Sequence, residues 1–263
     1  MLEVTWREVA YSPYYRSHPR ELVRLAYAKW LFRRHRLADP AAFLAAALGI
    51  KADQAFAGFE KWRPILEGVI SLVRKEGGNQ GEVSAEDTAI LYGIVRASRP
   101  IYVVETGVAA GVSSSSIGAA LIENGCGALY SIDLPPGESA TRRHLDGSVF
   151  DWPKKGPGWA IPGEIKQQLG TRWKLILGDV RTALPKLLTT VPLVDMFFHD
   201  DLHTPDHMLW EYELVWPQIS PGGLLVSDDA NFAWIAFCRR HGLDGKSLVN
   251  VQRLAAVRKG TGE

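Results

Sequence analysis

Short apolar runs rich in β-branched residues recur from residue 101 onward, and stretches with helical periodicity fill most of the gaps between them. The runs are IYVVE (101–105), ALYSID (128–133), KLILG (174–178), LVDMFF (193–198) and GLLVSD (223–228). Strands joined by helical crossovers run parallel, and helices then cover both faces of their sheet. The pattern therefore predicts an α/β fold with a doubly wound, mainly parallel sheet.

Acidic residues stand at or just after the end of each of these runs. In open parallel sheets, ligands bind beyond the carboxyl ends of the strands. We therefore expect a binding site along this edge of the sheet, built from Glu105, Asp133, Asp179, Asp200, Asp228 and Asp229.

The N-terminal part of the chain has a different character. Apolar residues there recur at helical spacing over 22–37, 40–50 and 54–78. We predict a helical arm at 1–80 and an α/β domain at 81–263, with a lid-like insertion at about 134–164. The insertion is either a lid over the binding edge or a surface loop. The arm either covers the same edge or builds a homo-oligomer interface.

Composition excludes several classes of protein. A net charge of +1 provides no overall field for nucleic acid or an anionic membrane, so we expect neither as a partner. No stretch approaches the roughly 18 apolar residues that span a bilayer, and a cytoplasmic location is the expectation. The two cysteines, Cys126 and Cys238, are too few for a disulfide framework and are expected to be small buried residues.

The stretch VVETGVAAGVSSSS (103–116) is typical of a strand, a glycine turn and a helix start. Gly107 and Gly111 allow the backbone to come close to a ligand. The stretch is neither the dinucleotide fingerprint G-x-G-x-x-G nor a P-loop. Glu105 would repel a pyrophosphate, so a cationic ligand is the better fit.

These features resemble the class I S-adenosylmethionine-dependent methyltransferases, over roughly residues 84 to 258. The resemblance implies a Rossmann-like fold and S-adenosylmethionine as cofactor. It implies that Glu105, Gly107, Gly111 and Ser113 hold the amino acid end of the cofactor. By the same resemblance, Asp133 binds the ribose hydroxyls and Asp179 the adenine amino group.

The histidine-rich stretch FFHDDLHTPDHMLWEYE (197–213) suggests a metal site at first sight. Thr204 and Pro205 predict that a helix begins at about residue 205, so the histidines do not share the helix face of a zinc motif. His207 is then expected to face solvent on the first helical turn. Carboxylates at the tips of neighbouring strands can instead share a cation, and an all-oxygen set favours magnesium, calcium or manganese. Those carboxylates are Asp200, Asp228 and Asp229; the alternative is a solvated acidic rim or a helix cap.

The same stretch, followed by WPQISPGGLLVSDDA (216–230), resembles the O-methyltransferases related to macrocin O-methyltransferase and the cephalosporin-hydroxylase-like proteins, and more distantly the catechol type. The resemblance implies a metal-assisted O-methyltransferase acting on a hydroxyl of a small molecule, such as a sugar, glycoside or phenol. It assigns a divalent cation such as Mg²⁺ to Asp200, Asp228 and Asp229. It makes His203 the base beside Asp200, and His199 either contacts the cofactor or closes the metal shell.

Two other functions stay open at this point. A nucleotide-cofactor oxidoreductase of the NAD type would use a similar sheet, although Glu105 and the missing dinucleotide fingerprint count against it. A non-catalytic S-adenosylmethionine-binding relative would keep the cofactor carboxylates alone. The presence of Asp200, His203, Asp228 and Asp229 together favours an enzyme.

Overall fold

The computed structural model describes residues 12–76, 83–136, 141–143, 149–151, 155–252 and 254–261. Within these ranges the helices are α1 (Pro13–Ser17), α2 (Pro19–His35), α3 (Pro40–Leu48), α4 (Ala52–Ala55), α5 (Phe59–Glu76), α6 (Ala85–Ser98), α7 (Val112–Asn124), α8 (Gly163–Leu169), α9 (Val180–Leu188), α10 (Pro205–Val215) and α11 (Phe232–Arg240). Short 3-10 turns occupy Gly170–Arg172, Trp216–Gln218 and Asp244–Lys246.

The described strands are β1 (Arg36–Leu37), β2 (Tyr102–Thr106), β3 (Ala128–Asp133), β4 (Thr141–Arg143), β5 (Val149–Asp151), β6 (Trp173–Leu177), β7 (Val194–His199), β8 (Ile219–Ser227), β9 (Asn250–Val251) and β10 (Leu254–Arg258). Eight of them form one sheet in the order β1-β9-β10-β8-β7-β2-β3-β6, and β4 and β5 form a separate pair. Only β10 is antiparallel to its neighbours in the described sheet, β8 and β9. The predicted doubly wound, mainly parallel sheet is confirmed, and the five predicted strands are β2, β3, β6, β7 and β8.

The register of the central strands brings the glycine turn next to the histidine-rich stretch. In β2, Thr106 pairs with Ile132 of β3 on one side and His199 of β7 on the other. His199 also pairs with Ser227 near the end of β8. Because neighbouring strands lie about 4.8 Å apart, the residues that follow these strands are side by side at one edge.

Helices cover both faces of the sheet. One hydrophobic cluster joins the sheet to α3, α5, α6 and α7, and a second joins it to α9, α10 and α11. Phe43 of α3 and Trp62 of α5 are fully buried in the same cluster as Val103 and Leu129 of the sheet. The helices of the predicted arm therefore share a hydrophobic core with the α/β part of the chain.

Most helix ends follow the signals in the sequence. Ser84 and Asp87 form a capping box at the start of α6, and Pro205 is the first residue of α10. Thr204 holds the cap position of α10 without a side-chain hydrogen bond. The helix predicted at 54–78 is interrupted, because Gly58 has φ +82° between α4 and α5 and an α-helix requires a negative φ.

None of the described helices combines the length and the apolar character needed to cross a bilayer. Both cysteines are free thiols. Cys238 is fully buried in α11, as predicted, whereas Cys126 is only partly buried. Neither takes part in the region at the carboxyl edge of the sheet.

Candidate active site

The glycine turn is packed tightly against the chain itself. A Cβ at Gly107, where φ is +82°, would lie 2.0 Å from the carbonyl oxygen of Asp200. A Cβ at Gly111, where φ is +94°, would lie 2.4 Å from Ile161 Cγ1. Such distances exclude any side chain without a shift of the backbone or of Ile161. Glycine is therefore required at both positions, because neighbouring segments of the chain approach the turn so closely.

The end of the insertion is attached to this turn. Gly158 N–H donates to Ala109 O at 2.9 Å, and Ala160 N–H donates to Ala110 O at 3.0 Å. Trp159 between them packs against the hydrophobic core. Residues 158–161 are thus a fixed wall of the glycine turn. Trp152, the other tryptophan of the insertion, lies outside the described residues.

Glu105 at the end of β2 is completely buried beneath the first turn of α7. Its carboxylate accepts hydrogen bonds from the hydroxyls of Ser113 at 2.5 Å, Ser114 at 2.5 Å and Ser131 at 2.8 Å. Burial raises the pKa of Glu105, and the three hydroxyls act against that rise. The arrangement fixes the start of α7 to β2 and β3, so Glu105 and Ser113 shape the turn from below.

Asp133 at the end of β3 borders the same turn from the side. Its Oδ2 accepts from Val108 N–H at 2.9 Å and Ala109 N–H at 2.7 Å, and its Oδ1 accepts from Leu134 N–H at 2.6 Å. Burial raises the pKa of Asp133 to about 6, against the effect of these hydrogen bonds. Its Oδ2 already accepts two hydrogen bonds and its Oδ1 accepts one, so one lone pair of Oδ1 is left to accept from a bound hydroxyl.

Asp179 is exposed and caps α9, accepting from Arg181 N–H at 2.8 Å. The adjacent Gly178 N–H donates to Asp133 O at 2.9 Å, which places Asp179 at the same edge as Asp133. The predicted cofactor residues on β2, β3 and β6 are therefore brought to one edge of the sheet.

The predicted base and two of the predicted metal ligands form a compact group. One ligand atom from each of Asp200, His203 and Asp228 lies within 4.8 Å of the others. His203 Nε2 is 3.8 Å from Asp200 Oδ1, and Asp228 is fully buried. The backbone positions are fixed because Asp200 N–H donates to Thr106 O and Asp228 N–H donates to His199 O, each at 2.9 Å.

Asp229 lies outside that compact group. Its Oδ2 is 4.0 Å from His203 Nδ1, so His203 sits between Asp200 and Asp229. Asp229 has a φ of +45°, in the left-handed region. The compact group thus differs from the predicted trio in one member, with His203 in place of Asp229. The two carboxylates are oxygen donors that fit a divalent cation, and the imidazole of His203 lies beside them.

A second polar cluster lies behind this group and was missed by the sequence analysis. His199 is fully buried, and its Nδ1 is 2.5 Å from Glu211 Oε2. His207 is only 4% exposed, so the expectation that it faces solvent is wrong. Its Nε2 is 3.0 Å from Asp201 Oδ2. Thr106 completes the cluster by donating to Glu211 Oε2 at 3.0 Å.

Neighbouring charges in this cluster shift the pKa values of His207 and Asp201. Burial lowers the pKa of His207, but Asp201 and Glu211 outweigh it and raise that pKa to about 10. Burial acts to raise the pKa of Asp201, yet the hydrogen bond from His207 and the charge of His199 hold it below its usual range. A sequence signal was present, because His207 and Glu211 are four apart, each next to an inward apolar residue, Met208 or Tyr212.

The residues that form this edge lie within one domain. Residues 104–230, which include the glycine turn and every strand-end carboxylate named above, match the family model of a methyltransferase domain. The chain carries a methyltransferase domain. No curated protein gives a significant match to it.

Solved structures similar to the methyltransferase share little sequence with it. A Podospora anserina methyltransferase bound to S-adenosylhomocysteine is 16% identical over 70% of this chain and 74% of that chain, with a TM-score of 0.47. The O-methyltransferase TomG from Streptomyces achromogenes, involved in tomaymycin synthesis, is 15% identical over 87% and 98%, with a TM-score of 0.44. An O-methyltransferase from Bacillus cereus is 12% identical over 82% and 84%, also at 0.44. The assignment of a methyltransferase domain rests on the family model alone.

Proposed function

We propose that this methyltransferase transfers the methyl group to a hydroxyl of a small molecule, such as a sugar, glycoside or phenol, with assistance from a divalent cation. The observation that carries the proposal is the group of Asp200, His203 and Asp228, whose ligand atoms lie within 4.8 Å of one another. The tight contact between Gly107 and Asp200 puts this group directly beside the glycine turn.

The cofactor would lie along the turn between β2 and α7. Asp133 would accept a ribose hydroxyl through the one lone pair of Oδ1 that its backbone hydrogen bonds leave available, and Asp179 would receive the adenine amino group. Gly107 and Gly111 would allow the amino acid end of the cofactor to come close to the backbone of the turn. Glu105 and Ser113 are buried beneath the turn, so we assign them to holding its shape. His199 is assigned a positioning role for the same reason.

His203 is the proposed base. Its side chain is 15% exposed, which leaves the imidazole accessible to an acceptor at the mouth of the site. It takes the proton from the acceptor hydroxyl, and the resulting imidazolium is stabilised by Asp200 on one side and Asp229 on the other. The hydroxyl oxygen bonds to the methyl carbon as the bond from carbon to sulfur breaks, leaving S-adenosylhomocysteine.

Asp200 and Asp228 would hold the cation. When bound there, a divalent cation would lower the pKa of the acceptor hydroxyl and orient it toward the methyl group. Positioning of the acceptor against the donor would supply much of the rate, since effective molarities can reach about 10⁵ M or more.

The test is a turnover assay for S-adenosylhomocysteine release, run with panels of hydroxylated glycosides and phenols. Each panel is run with magnesium, with manganese, and after chelation. We expect His203→Gln and Asp228→Asn to lower kcat by about 10²-fold or more on any accepted hydroxyl. Glu213→Gln is the matched control, because Glu213 pairs with Arg240 and His241 away from the site.

Two results would contradict the proposal. A wild-type kcat in His203→Gln would mean that His203 is not the base. Unchanged turnover after chelation would mean that no cation takes part in the reaction. Transfer to an amine or thiol acceptor, with no hydroxyl accepted in the same panels, would correct the acceptor class.

A further inference from the structure

One face of helix α2 carries a row of exposed side chains with an arginine at each end and apolar residues between them. The row consists of Arg20, Val23, Tyr27, Trp30 and Arg34, which follow one another at steps of three and four residues. Side chains at such steps lie along one line of an α-helix, and this line is about 21 Å long. All five residues are exposed. This row is the docking face of α2.

The opposite face of α2 attaches the helix to the rest of the fold. Leu25, Ala28 and Phe32 are its buried residues. Leu25 belongs to a small cluster against which Phe232 of α11 packs, and Ala28 and Phe32 belong to the hydrophobic cluster on one side of the sheet. The docking face is therefore not the face by which α2 joins the fold, and the helix beneath it is held in place.

The apolar side chains of the docking face form a continuous patch. Of the eight large apolar residues that are exposed in the described ranges, Val23, Tyr27 and Trp30 share this helix, and the other five are distributed over the rest of the fold. The rings of Tyr27 and Trp30 are stacked, with centroids 5.8 Å apart and planes at 22°. Single exposed apolar residues are normal, whereas a contiguous exposed patch marks an interaction surface.

Positive charge is concentrated around the same patch. Residues 16–36 contain seven lysines and arginines and one carboxylate, that of Glu21. Glu21 pairs with Arg24 at 2.9 Å. None of the ion pairs in the described part of the chain involves Arg20, Arg33 or Arg34. The local charge therefore favours an anionic partner. The net charge of +1 suggested no such partner because it averages over the whole chain.

A lipid surface fits this arrangement better than other anionic partners. Tryptophan and tyrosine are enriched where a membrane meets water, and basic side chains beside them bind anionic head groups. Such a surface offers negative charge and hydrocarbon together, as the row of Arg20, Tyr27, Trp30 and Arg34 requires. A second copy of the chain would instead place arginines against arginines, and an acidic protein would match the arginines without a need for the apolar row.

We propose that the docking face of α2 binds an anionic lipid surface. The arginines contact the head groups, and Val23, Tyr27 and Trp30 enter the boundary between the head groups and the acyl chains. The attachment is peripheral, because none of the described helices could cross a bilayer. Phe232, which packs beneath α2, is three residues beyond Asp229. Docking would therefore hold the segment that carries Asp229 close to the lipid, whichever acceptor the enzyme uses.

Co-sedimentation of the full-length protein with vesicles tests the charge of the docking face. We expect binding to equimolar phosphatidylcholine and phosphatidylglycerol, no binding to phosphatidylcholine alone, and weaker binding as salt increases. An arginine near an anionic surface contributes about fivefold in affinity, so Arg20→Gln/Arg34→Gln should weaken binding about 25-fold. Lys174→Gln/Lys186→Gln is the matched control, because it removes the same charge from exposed positions on β6 and α9 and should bind as the wild type does.

A second pair of variants tests the apolar row. Tyr27→Ser/Trp30→Ser should also weaken binding to the anionic vesicles, because less apolar surface then enters the lipid. Leu193→Ser, which changes an exposed apolar residue away from α2, should not. Circular dichroism checks that each variant is folded.

The proposal is overturned if the wild-type protein does not sediment with the anionic vesicles, or binds both kinds of vesicle equally. Wild-type affinity in the folded arginine variant would overturn it as well. Binding to polyglutamate without binding to vesicles would assign the docking face to an acidic protein. A dimer in analytical ultracentrifugation, again without vesicle binding, would assign it to a second copy of the chain. Either result would replace the lipid surface as the partner.

Discussion

Gly107 and Asp200 lie so close that a Cβ at position 107 would be 2.0 Å from the carbonyl oxygen of Asp200. Gly107→Ala should therefore lose stability from both strain and overlap, because its φ is +82°. A positive φ alone costs about 1–2 kcal/mol, and overpacking adds about 1–3 kcal/mol. Chemical denaturation of the two proteins measures the sum.

Gly125 supplies the matched control for that substitution. It has a similar positive φ of +68°, but a Cβ there would meet nothing within 4 Å. Gly125→Ala should show only the backbone cost. Equal losses of stability in the two variants would mean that the contact with Asp200 is unimportant.

The three serines that hold Glu105 make a second prediction. Gln at position 105 would keep one oxygen acceptor but would turn an amide toward hydroxyls that now donate to a carboxylate. We expect Glu105→Gln to lower the free energy of unfolding by about 1–3 kcal/mol. Glu164→Gln on α8, where Glu164 is exposed, is the control that should change little. Thermal unfolding of Ser113→Ala would show whether removing one hydroxyl donor to Glu105 also lowers the stability of the protein.

The raised pKa of Asp133 predicts a pH dependence of cofactor binding. Its pKa is about 6, and the ionised form is the better acceptor for the ribose hydroxyls. The affinity for S-adenosylmethionine should rise as pH increases through 6 and level off above about 7, with about tenfold weaker binding at pH 5. Calorimetry across this pH range measures the slope.

The raised pKa of Asp133 affects the stability of the fold in the opposite direction. A folded pKa raised above the unfolded value of about 3.9 favours the protonated carboxyl in the folded protein. That stabilising contribution is present below about pH 4 and is lost as pH rises through 6.

Asp133→Asn should abolish the pH slope of cofactor binding, whereas Asp179→Asn should keep it. A retained slope in Asp133→Asn would assign the titration to another group.

Helix α2 carries an exposed apolar row on which the predicted homo-oligomer can be tested. Val23, Tyr27 and Trp30 are 69%, 61% and 49% exposed and lie on one face at helical spacing. If this row joins two copies of the chain, Tyr27→Glu should shift the protein to a monomer in analytical ultracentrifugation. Leu72→Glu on α5, an exposed apolar residue elsewhere, is the control. A monomeric wild-type protein at high concentration would contradict the prediction.

The sequence predicted the sheet well, because local patterns determine it. The β-branched runs, the Ser84 capping box and Pro205 each act on their own neighbours, so no tertiary information was needed to place the strands and the start of α10. The strand-end carboxylates were brought together for a similar reason. Parallel strands place their carboxyl ends at one edge whatever their order.

The orientation of individual side chains could not be predicted in this way. His207 was expected in solvent, but the packing of α10 on the sheet turns it inward. Its four-residue spacing from Glu211 places the two side chains on one helix face, but the spacing alone does not show that this face is buried. Asp229 also lies outside the compact group and has a left-handed φ of +45°, which no strand or helix pattern in the sequence indicates.

The two hydrogen bonds from Gly158 and Ala160 to the glycine turn have a consequence for protein engineering. They attach residues 158–161 of the insertion to the glycine turn, so any hinge that moves the insertion relative to this turn must lie upstream of Gly158. A chimera that exchanges the insertion to alter acceptor choice should therefore place its splice junction before Gly158 and keep Gly158–Ile161 native.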